Sequence, residues 1–372
     1  EYAVRCKELY PLIKEKYPDI KIGAVIVPDS LKFALPGSKY AKWNDIVAKY
    51  PNCYDAVIVH NYTTINDVNG YSTKDMTQQL YLDNQFLKSR FSGYKDLFDG
   101  KEIWVSEYGN LIMDVFNSSD LSEQSRKNFA KTTGVAICNI EKLFDMAAEG
   151  IDISCYHMSN DAQGFGIIQG ADKLQNYYVF KIAGDILNNN RYFYDVQPTV
   201  CDKTSGYLHL VNNTFVDMND VGAWGFGDEN GAKYIVFSNR TDKDKKISVD
   251  GSKIKKVKSY GGTAAEPLGN YLTCGGLLSD MPQAVEEPTE YNSGFENYAD
   301  LKGYSLTVCE IQESSDITAV CNAADDWNFE IDGSPVIAIS NGTFDGNSFK
   351  LYLNGTEIPA KCTVSQNTVK IA

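Results

Sequence analysis

At 372 residues the chain is longer than one hydrophobic core usually organises, so two or three domains are expected. Hydrophobic residues make up 43% and charged residues 23%, a globular balance that excludes disorder as the dominant state. Forty-nine acidic against 35 basic residues leave a net charge of −14, which repels nucleic acid and anionic lipid and excludes both as partners.

In chain order, residues 1–17 place Val4, Leu9, Leu12 and Ile13 between charges, the pattern of a surface helix leaning on something else. Pro18-Asp19 stops it, and Ile22–Val27 reads as a short buried strand. A helix is expected near 40–49, then a second strand over Asp55–Tyr62 with polar and aromatic groups at its end. The Gly- and Asn-containing stretch 63–80 reads as a loop over that end, followed by a helix near 82–97. Ile103-Trp104-Val105 is a third buried strand that ends on Glu107, with Tyr108-Gly109-Asn110 as a turn signal. A long helix is expected from Leu121 to about Glu149, closed by Gly150 at C′. Ile151–Tyr156 is a fourth strand, and 172–188 a closing helix.

Each strand-to-strand connection is long enough for a right-handed crossover, so the sheet should be parallel. Four strand–helix units fit half of an eight-stranded (β/α)8 barrel, and also a four-stranded open sheet. The half barrel is favoured because the chain opens at Glu1, inside an amphipathic helix, and so reads as a piece whose start lies upstream. From Arg191 helical periodicity gives way to short strands between Asn, Asp and Gly turns, among them Tyr207–Val211, Lys233–Phe237, Lys246–Val249 and Tyr304–Ile311. The fold class expected is therefore α/β plus all-β: a partial barrel over 1–190, an antiparallel β-sandwich over 191–312 and a small β-module over 313–372. Residues 263–300 read as a long irregular loop. In the last module Val336–Ile339, Ser348–Leu353 and Thr368–Ile371 are strands, with Asn-Gly turns at 341–342 and 354–355.

The nine cysteines are scattered and form no CxxC pair or Cys/His cluster, so no metal site is expected. Cys138 and Cys155 read as small core residues. Only His60, His157 and His209 offer imidazoles. No run of about eighteen apolar residues exists to span a membrane.

If the strands are parallel, His60, Asn61, Tyr62, Glu107, Tyr156 and His157 gather at one end of the sheet, where barrel active sites are built. Strict alternation puts His60 and Tyr62 on one side of their strand, and Ile103, Val105 and Glu107 together on one side of theirs. Trp104 and Ser106 would then point outward to the helices, with Trp104 in the core. A carboxylate with a phenol and an imidazole beside it suits a nucleophile, because the donors hold it ionised and orient a lone pair. The plainer reading of Glu107 is a surface acid at a strand end. Tyr156 either lines the site or closes the sheet's mouth, and His157 alternates away from it. Asp29 and Asp55 read as caps or turn residues, and Trp43 as helix packing.

Trp104-Val105-Ser106-Glu107-Tyr108-Gly109 resembles the nucleophile strand of retaining glycoside hydrolases of the large (β/α)8 clan, arabinofuranosidase-like members in particular. Tyr2–Cys6 with Tyr17–Ala24 resembles their helix-four-to-strand-five passage, and Tyr54–Tyr62 their strand six with its His-x-Tyr ending. Asp152–Tyr156 and Asn176–Phe180 look like strand eight and helix eight, and Gly222-Ala223-Trp224 with Lys233–Asn239 like the sandwich that packs on such barrels. The resemblance covers about residues 1–312. It implies Glu107 as nucleophile, His60, Asn61, Tyr62 and Tyr156 as substrate contacts, an oligosaccharide or polysaccharide substrate of plant type, no cofactor and a secreted or cell-surface location. It also calls for an acid/base Glu in an Asn-Glu pair ending strand four. No such pair occurs here, so that residue is expected upstream of Glu1, and the fragment alone is expected to be inactive. The alternatives are a non-catalytic carbohydrate-binding or cell-surface protein with a degenerate barrel, and a complete small α/β domain bearing an unrelated acid.

Overall fold

The computed structural model describes residues 1–28, 37–65, 73–112, 129–160, 166–188, 190–196, 201–208, 214–249, 252–262, 288–293 and 297–313. Beyond these it describes the strands of 317–371. The chain forms two compact units. The first holds Glu1–Lys246, Lys258–Glu290 and Asp300–Val308; the second holds Ile247–Val257, Tyr291–Ala299 and Cys309–Ala372.

The first unit starts with α1 (Tyr2–Lys16), β1 (Gly23–Val25), α2 (Trp43–Ala48), β2 (Ala56–Ile65), α3 (Thr73–Asn84), α4 (Leu87–Leu97) and β3 (Glu102–Ile112). It continues with α5 (Thr133–Ala148), β4 (Ile153–Tyr156), the two-residue strands β5 (Ile168–Gln169) and β6 (Asp172–Lys173), and α6 (Gln175–Leu187). Strands β1 to β4 lie side by side in sequence order, each pair parallel, as the crossover lengths require. Asp55 sits at the start of β2, the end opposite Glu107. It accepts from Ile22 N at 2.8 Å and Tyr10 Oη at 2.7 Å and pairs with Lys14 at 2.9 Å, which ties α1 to the sheet. It is structural, as its turn position suggests.

Three sequence expectations are corrected. The Tyr108-Gly109-Asn110 turn does not end β3, which runs on to Ile112 in pairing with β2 through Ile65. Partner strands on both sides override the local turn propensity of Gly and Asn. Stretch 63–80 is not one loop, since β2 occupies its start and α3 its end, while the helix expected near 82–97 is met as α4. On α1 the apolar residues Val4, Leu9, Leu12 and Ile13 are exposed, and Ala3 is the buried one. The Leu121–Glu149 helix is met from Thr133 onward; its first part lies outside the described residues, and Gly150 closes it at φ 63°.

Two apolar layers hold this unit. Val57 and Val59 of β2 with Ile103 and Val105 of β3 pack on Leu87, Phe91 and Tyr94 of α4. Phe144, Ile140 and Val135 of α5 and Val179 and Ile182 of α6 pack on residues of later strands, Trp224, Phe226 and Val236. Helix α5 is thus enclosed on both sides, with 13 of its 16 residues buried, and its polar residues must find partners inside.

The later strands of this unit are antiparallel. They are β7 (Tyr192–Tyr194), the hairpin β8 (Lys203–Leu208) and β9 (Thr214–Asn219), β10 (Val221–Asp228) and β11 (Gly231–Asn239). Five further strands each have residues in both units: β12 (Lys245–Ser248), β13 (Ser252–Gly261), β14 (Thr289–Asn292), β15 (Tyr298–Leu301) and β16 (Ser305–Glu313). Strands β14 and β15 fall where an irregular loop was expected over 263–300, and residues 263–287 and 294–296 lie outside the described residues.

The second unit contains two four-stranded sheets, formed by β17 (Ile317–Cys321), β18 (Asn328–Ile331), β19 (Ser334–Pro335), β20 (Ile337–Ser340), β21 (Lys350–Leu353), β22 (Thr356–Ile358), β23 (Cys362–Ser365) and β24 (Thr368–Ile371). Their orders are β20-β17-β21-β22 and β19-β18-β24-β23. Both Asn-Gly turns expected there lie outside the described residues.

Candidate active site

The C-terminal ends of β2 and β3 carry the site, and an irregularity in their pairing decides which way its side chains point. Val59 pairs with Val105, but the next residue, His60, pairs with Glu107, so Ser106 is an extra residue in β3. Ahead of it Ile103 and Val105 face the helices. Trp104 faces the other way with Ile58, so that a Cβ on Gly23 would meet Ile58 at 2.6 Å and Trp104 at 3.0 Å. Past the extra residue the phase reverses, and Glu107 joins His60 and Tyr62 on the face away from the helices. A bulge re-aims a side chain in this way. The expected alternation is corrected accordingly: Glu107 does not share a side with Ile103 and Val105, and Trp104 does not point toward the helices. Without the bulge the carboxylate would lie in an apolar layer.

Tyr62 Oη donates to Glu107 Oε2 at 2.8 Å, and His60 Nδ1 stands 3.5 Å from the same oxygen, an ion pair when the imidazole is protonated. The Glu107 side chain is 37% exposed and that of His60 50%, so the carboxylate is open to solvent and to a ligand. The Tyr62 ring lies edge-on between His60, at 6.4 Å, and His157, at 6.3 Å. Burial, then the hydrogen bond to Glu107, pushes the Tyr62 phenol well above its ordinary value. It therefore stays protonated and keeps donating. Among the described residues both contacts fall on Oε2, which leaves Oε1 clear.

Two expected site residues are not with this group. Asn61 alternates to the helix side, where it is buried and lines a small cavity with Pro28, Val59, His60, Arg90, Phe91 and Tyr94. Tyr156 packs on Tyr108 and Phe180, and its hydroxyl accepts from Asn139 Nδ2 at 3.2 Å and Asn176 Nδ2 at 3.0 Å. Tyr156 thus lies in the helix layer, away from the Glu107 side of the sheet. The neighbouring His157 is the residue that reaches Tyr62.

Behind the site lies a polar group that sequence reasoning did not single out. Lys142 of α5, fully buried, donates to Thr63 Oγ1 at 2.7 Å and to the Gly109 carbonyl at 2.8 Å. Thr63 in turn donates to the buried Asp83, on which Arg90 closes with both terminal nitrogens. The signal was present in the sequence as Glu141-Lys142 and Asp145 set inside the apolar run Val135–Met146. Among the described residues no group of three His, Cys, Asp or Glu side chains forms a metal cluster, and no helix is long and apolar enough to cross a membrane.

No family model and no curated protein matches the chain. Solved structures do match. An alpha-L-arabinofuranosidase from Thermotoga maritima is 20% identical over 83% of this chain and 61% of that one, with a TM-score of 0.52. A family 51 alpha-L-arabinofuranosidase from Thermotoga petrophila is 18% identical over 84% and 62%, with a TM-score of 0.53. Another from Bifidobacterium longum is 13% identical over 84% and 63%, with a TM-score of 0.56. The chain spans about three-fifths of the length of these proteins. The resemblance carried by Trp104–Gly109 and its flanking motifs is thus met at the level of architecture: the chain shares its fold with alpha-L-arabinofuranosidases.

Proposed function

We propose that this chain belongs to a retaining glycoside hydrolase in which Glu107 is the nucleophile. The observation that carries the reading is the Tyr62–Glu107 hydrogen bond at the C-terminal ends of parallel strands, with His60 beside it. Oε1 attacks the anomeric carbon as the glycosidic bond breaks, and the leaving-group oxygen takes a proton from an acid/base carboxyl. Water, deprotonated by that same group, then displaces the Glu107 carboxylate and releases the sugar. Tyr62 stabilises the carboxylate leaving in the second step and holds it in line in the first.

The acid/base group is assigned to a Glu outside these 372 residues, and strands β1 to β4 to part of a (β/α)8 barrel. The three-fifths coverage of the solved arabinofuranosidases supports that assignment. The substrate class is an arabinofuranoside or a related plant-type polysaccharide, met outside the cell or at its surface. The test is Glu107→Ala in the full-length protein, assayed on 4-nitrophenyl α-L-arabinofuranoside. Turnover should vanish and return in part with azide, which replaces the missing nucleophile; an unchanged rate disposes of the assignment.

A second reading, carbohydrate binding without chemistry, draws on the β8–β9 hairpin. Tyr207 and Phe215 are paired across its strands, edge-on at 5.2 Å, and are exposed at 56% and 58%. Ser205, in the next pair on that face, donates to Asp217 Oδ1, and the second Asp217 oxygen can accept from a sugar hydroxyl. Retention on insoluble arabinan that survives Glu107→Ala and is lost in Tyr207→Ala favours this reading if no turnover is found.

A further inference from the structure

A lysine buried in an apolar layer is costly unless each proton finds an acceptor, and a hydrophobic side chain of equal length would be the easier solution. Lys142 is therefore held where it is by what it touches. Thr63 is the residue after Tyr62 on β2, and Gly109 lies two residues after Glu107 on β3. One ammonium thus spans the two strands immediately beyond the two side chains that meet at 2.8 Å. The titratable groups that act on it are Cys138 from α5 itself, a thiol that burial keeps protonated, Asp83 from α3 and Arg90 from α4. Arg90 locks Asp83, and Asp83 accepts from the Thr63 hydroxyl, so that the hydroxyl's lone pair is turned to Lys142. Asn110, next along β3, is tied to Asn139 of α5 at 2.8 Å and adds a second fastening on the same side.

We propose that Lys142 is a positioning residue: acting through the Thr63 hydroxyl and the Gly109 carbonyl, it sets the spacing of β2 and β3 that brings the Tyr62 phenol onto Glu107. Its consequence for turnover rests on the nucleophile assignment above, but its consequence for the Tyr62–Glu107 contact does not. The contact on the open face is too solvent-exposed to define its own geometry, since partly exposed charge contacts are weak and screened. The order has to come from the buried side of the same strands.

The experiment uses the full-length protein with 13C-labelled tyrosine, the Tyr62 ring signals being assigned by Tyr62→Phe. Lys142→Met, which keeps the length and removes the donors, should move those signals in the direction that Glu107→Gln moves them. On 4-nitrophenyl α-L-arabinofuranoside it should lower kcat about tenfold to a hundredfold with little change in KM. In the Tyr62→Phe background the same substitution should lose most of that effect. Thr63→Val, which removes one of the two acceptors and leaves Lys142 bonded to Gly109, should act in the same direction by less, and it carries the test if Lys142→Met does not fold. Tyr62 signals and kcat at parental values in either variant overturn the proposal, as does an undiminished loss of kcat in the Tyr62→Phe background. Full activity in Glu107→Ala overturns the nucleophile assignment alone, and the Tyr62 signals then decide the role of Lys142.

Discussion

The two faces of β2 and β3 share one backbone and hold their charges in opposite ways. On the face away from the helices, Glu107 and His60 are a third to a half exposed and touch through Tyr62 and a single carboxylate oxygen. On the helix side the charges are enclosed: Asp83 pairs with Arg90, Lys142 donates to Thr63 and Gly109, and Glu141, its neighbour on α5, pairs with Arg240. The open face contributes little to stability, because water screens its contacts. The closed face is unforgiving, because an ion that loses its partner there has no water to turn to. A carboxylate this accessible keeps a fixed place only if something else orders it, and on the proposal above the ordering groups are the enclosed ones.

The sharpest way to break this contrast is to remove one charge from each face. Glu141 accepts from Arg240 Nε at 2.9 Å and from the Ser238 hydroxyl, with its side chain fully buried. Glu141→Ala strands the Arg240 guanidinium and should cost about 3–5 kcal/mol in urea unfolding. Glu107→Ala, at the open end, should change stability by no more than about 1 kcal/mol in the same assay. Comparable losses from the two variants would erase the distinction.

Asp145, one turn on from Glu141, gives the next effect and sets its pH dependence. Burial raises its carboxyl from 3.8 to about 7, against the hydrogen bond from Trp224 Nε1 at 2.8 Å, which pulls the other way. Between pH 3.8 and about 7 the folded chain keeps a proton that the unfolded chain has released, so stability falls as pH rises through that window. The fall amounts to at most about 4 kcal/mol, at about 1.4 kcal/mol per pH unit. Asp145→Asn keeps an acceptor for Trp224 and should remove that slope. Urea unfolding at pH 4, 5.5 and 7.5 reads it, and equal slopes in both proteins would mean the carboxyl is ionised inside the fold.

Tyr62→Phe acts on the open face, where stability should hold within about 1 kcal/mol. The hydrogen bond to a charged group is what is lost, about 1.5–3 kcal/mol, which is roughly tenfold to a hundredfold in kcat. A fall in stability without a fall in kcat would make Tyr62 a packing residue and Glu107 a bystander.

How far the sequence disclosed all this follows the same division. The parallel order of the four strands was legible because Ile22–Val27, Asp55–Tyr62, Ile103–Val105 and Ile151–Tyr156 are short apolar runs separated by helical lengths. Glu107, His60 and Tyr62 were legible as strand-end polar groups, and they do meet. Their facing was not, because period-two counting carries no sign of the extra residue at Ser106, and that one residue reverses every later assignment on β3. Asn61 and Tyr156 stand apart from that group for a related reason. Position at the strand end placed them near the site, whereas alternation sends each into the helix layer. Lys142 was overlooked because an ionic residue inside a helical pattern reads as a solvated edge until both sides of the helix prove to be covered.

The mildest change tests how much room the open face has beside the Tyr62 ring. A methyl on Gly109 would meet the Tyr62 ring at 3.4 Å and the His157 carbonyl at 3.7 Å, ordinary contact distances. Gly23 contrasts with it on the same face, since a methyl there runs into Ile58 at 2.6 Å. Gly109→Ala should therefore be neutral or stabilising by about 0.5 kcal/mol, through the loss of unfolded-chain freedom. Its carbonyl still accepts from Lys142, and kcat should stay within a factor of about two, a few tenths of a kcal/mol. Gly23→Ala should destabilise by about 1–3 kcal/mol, the range for overpacking. If Gly109→Ala instead lowers kcat as far as Tyr62→Phe does, the Tyr62 ring is held from the open face as well, and the division of labour between the two faces is less complete than their burial indicates.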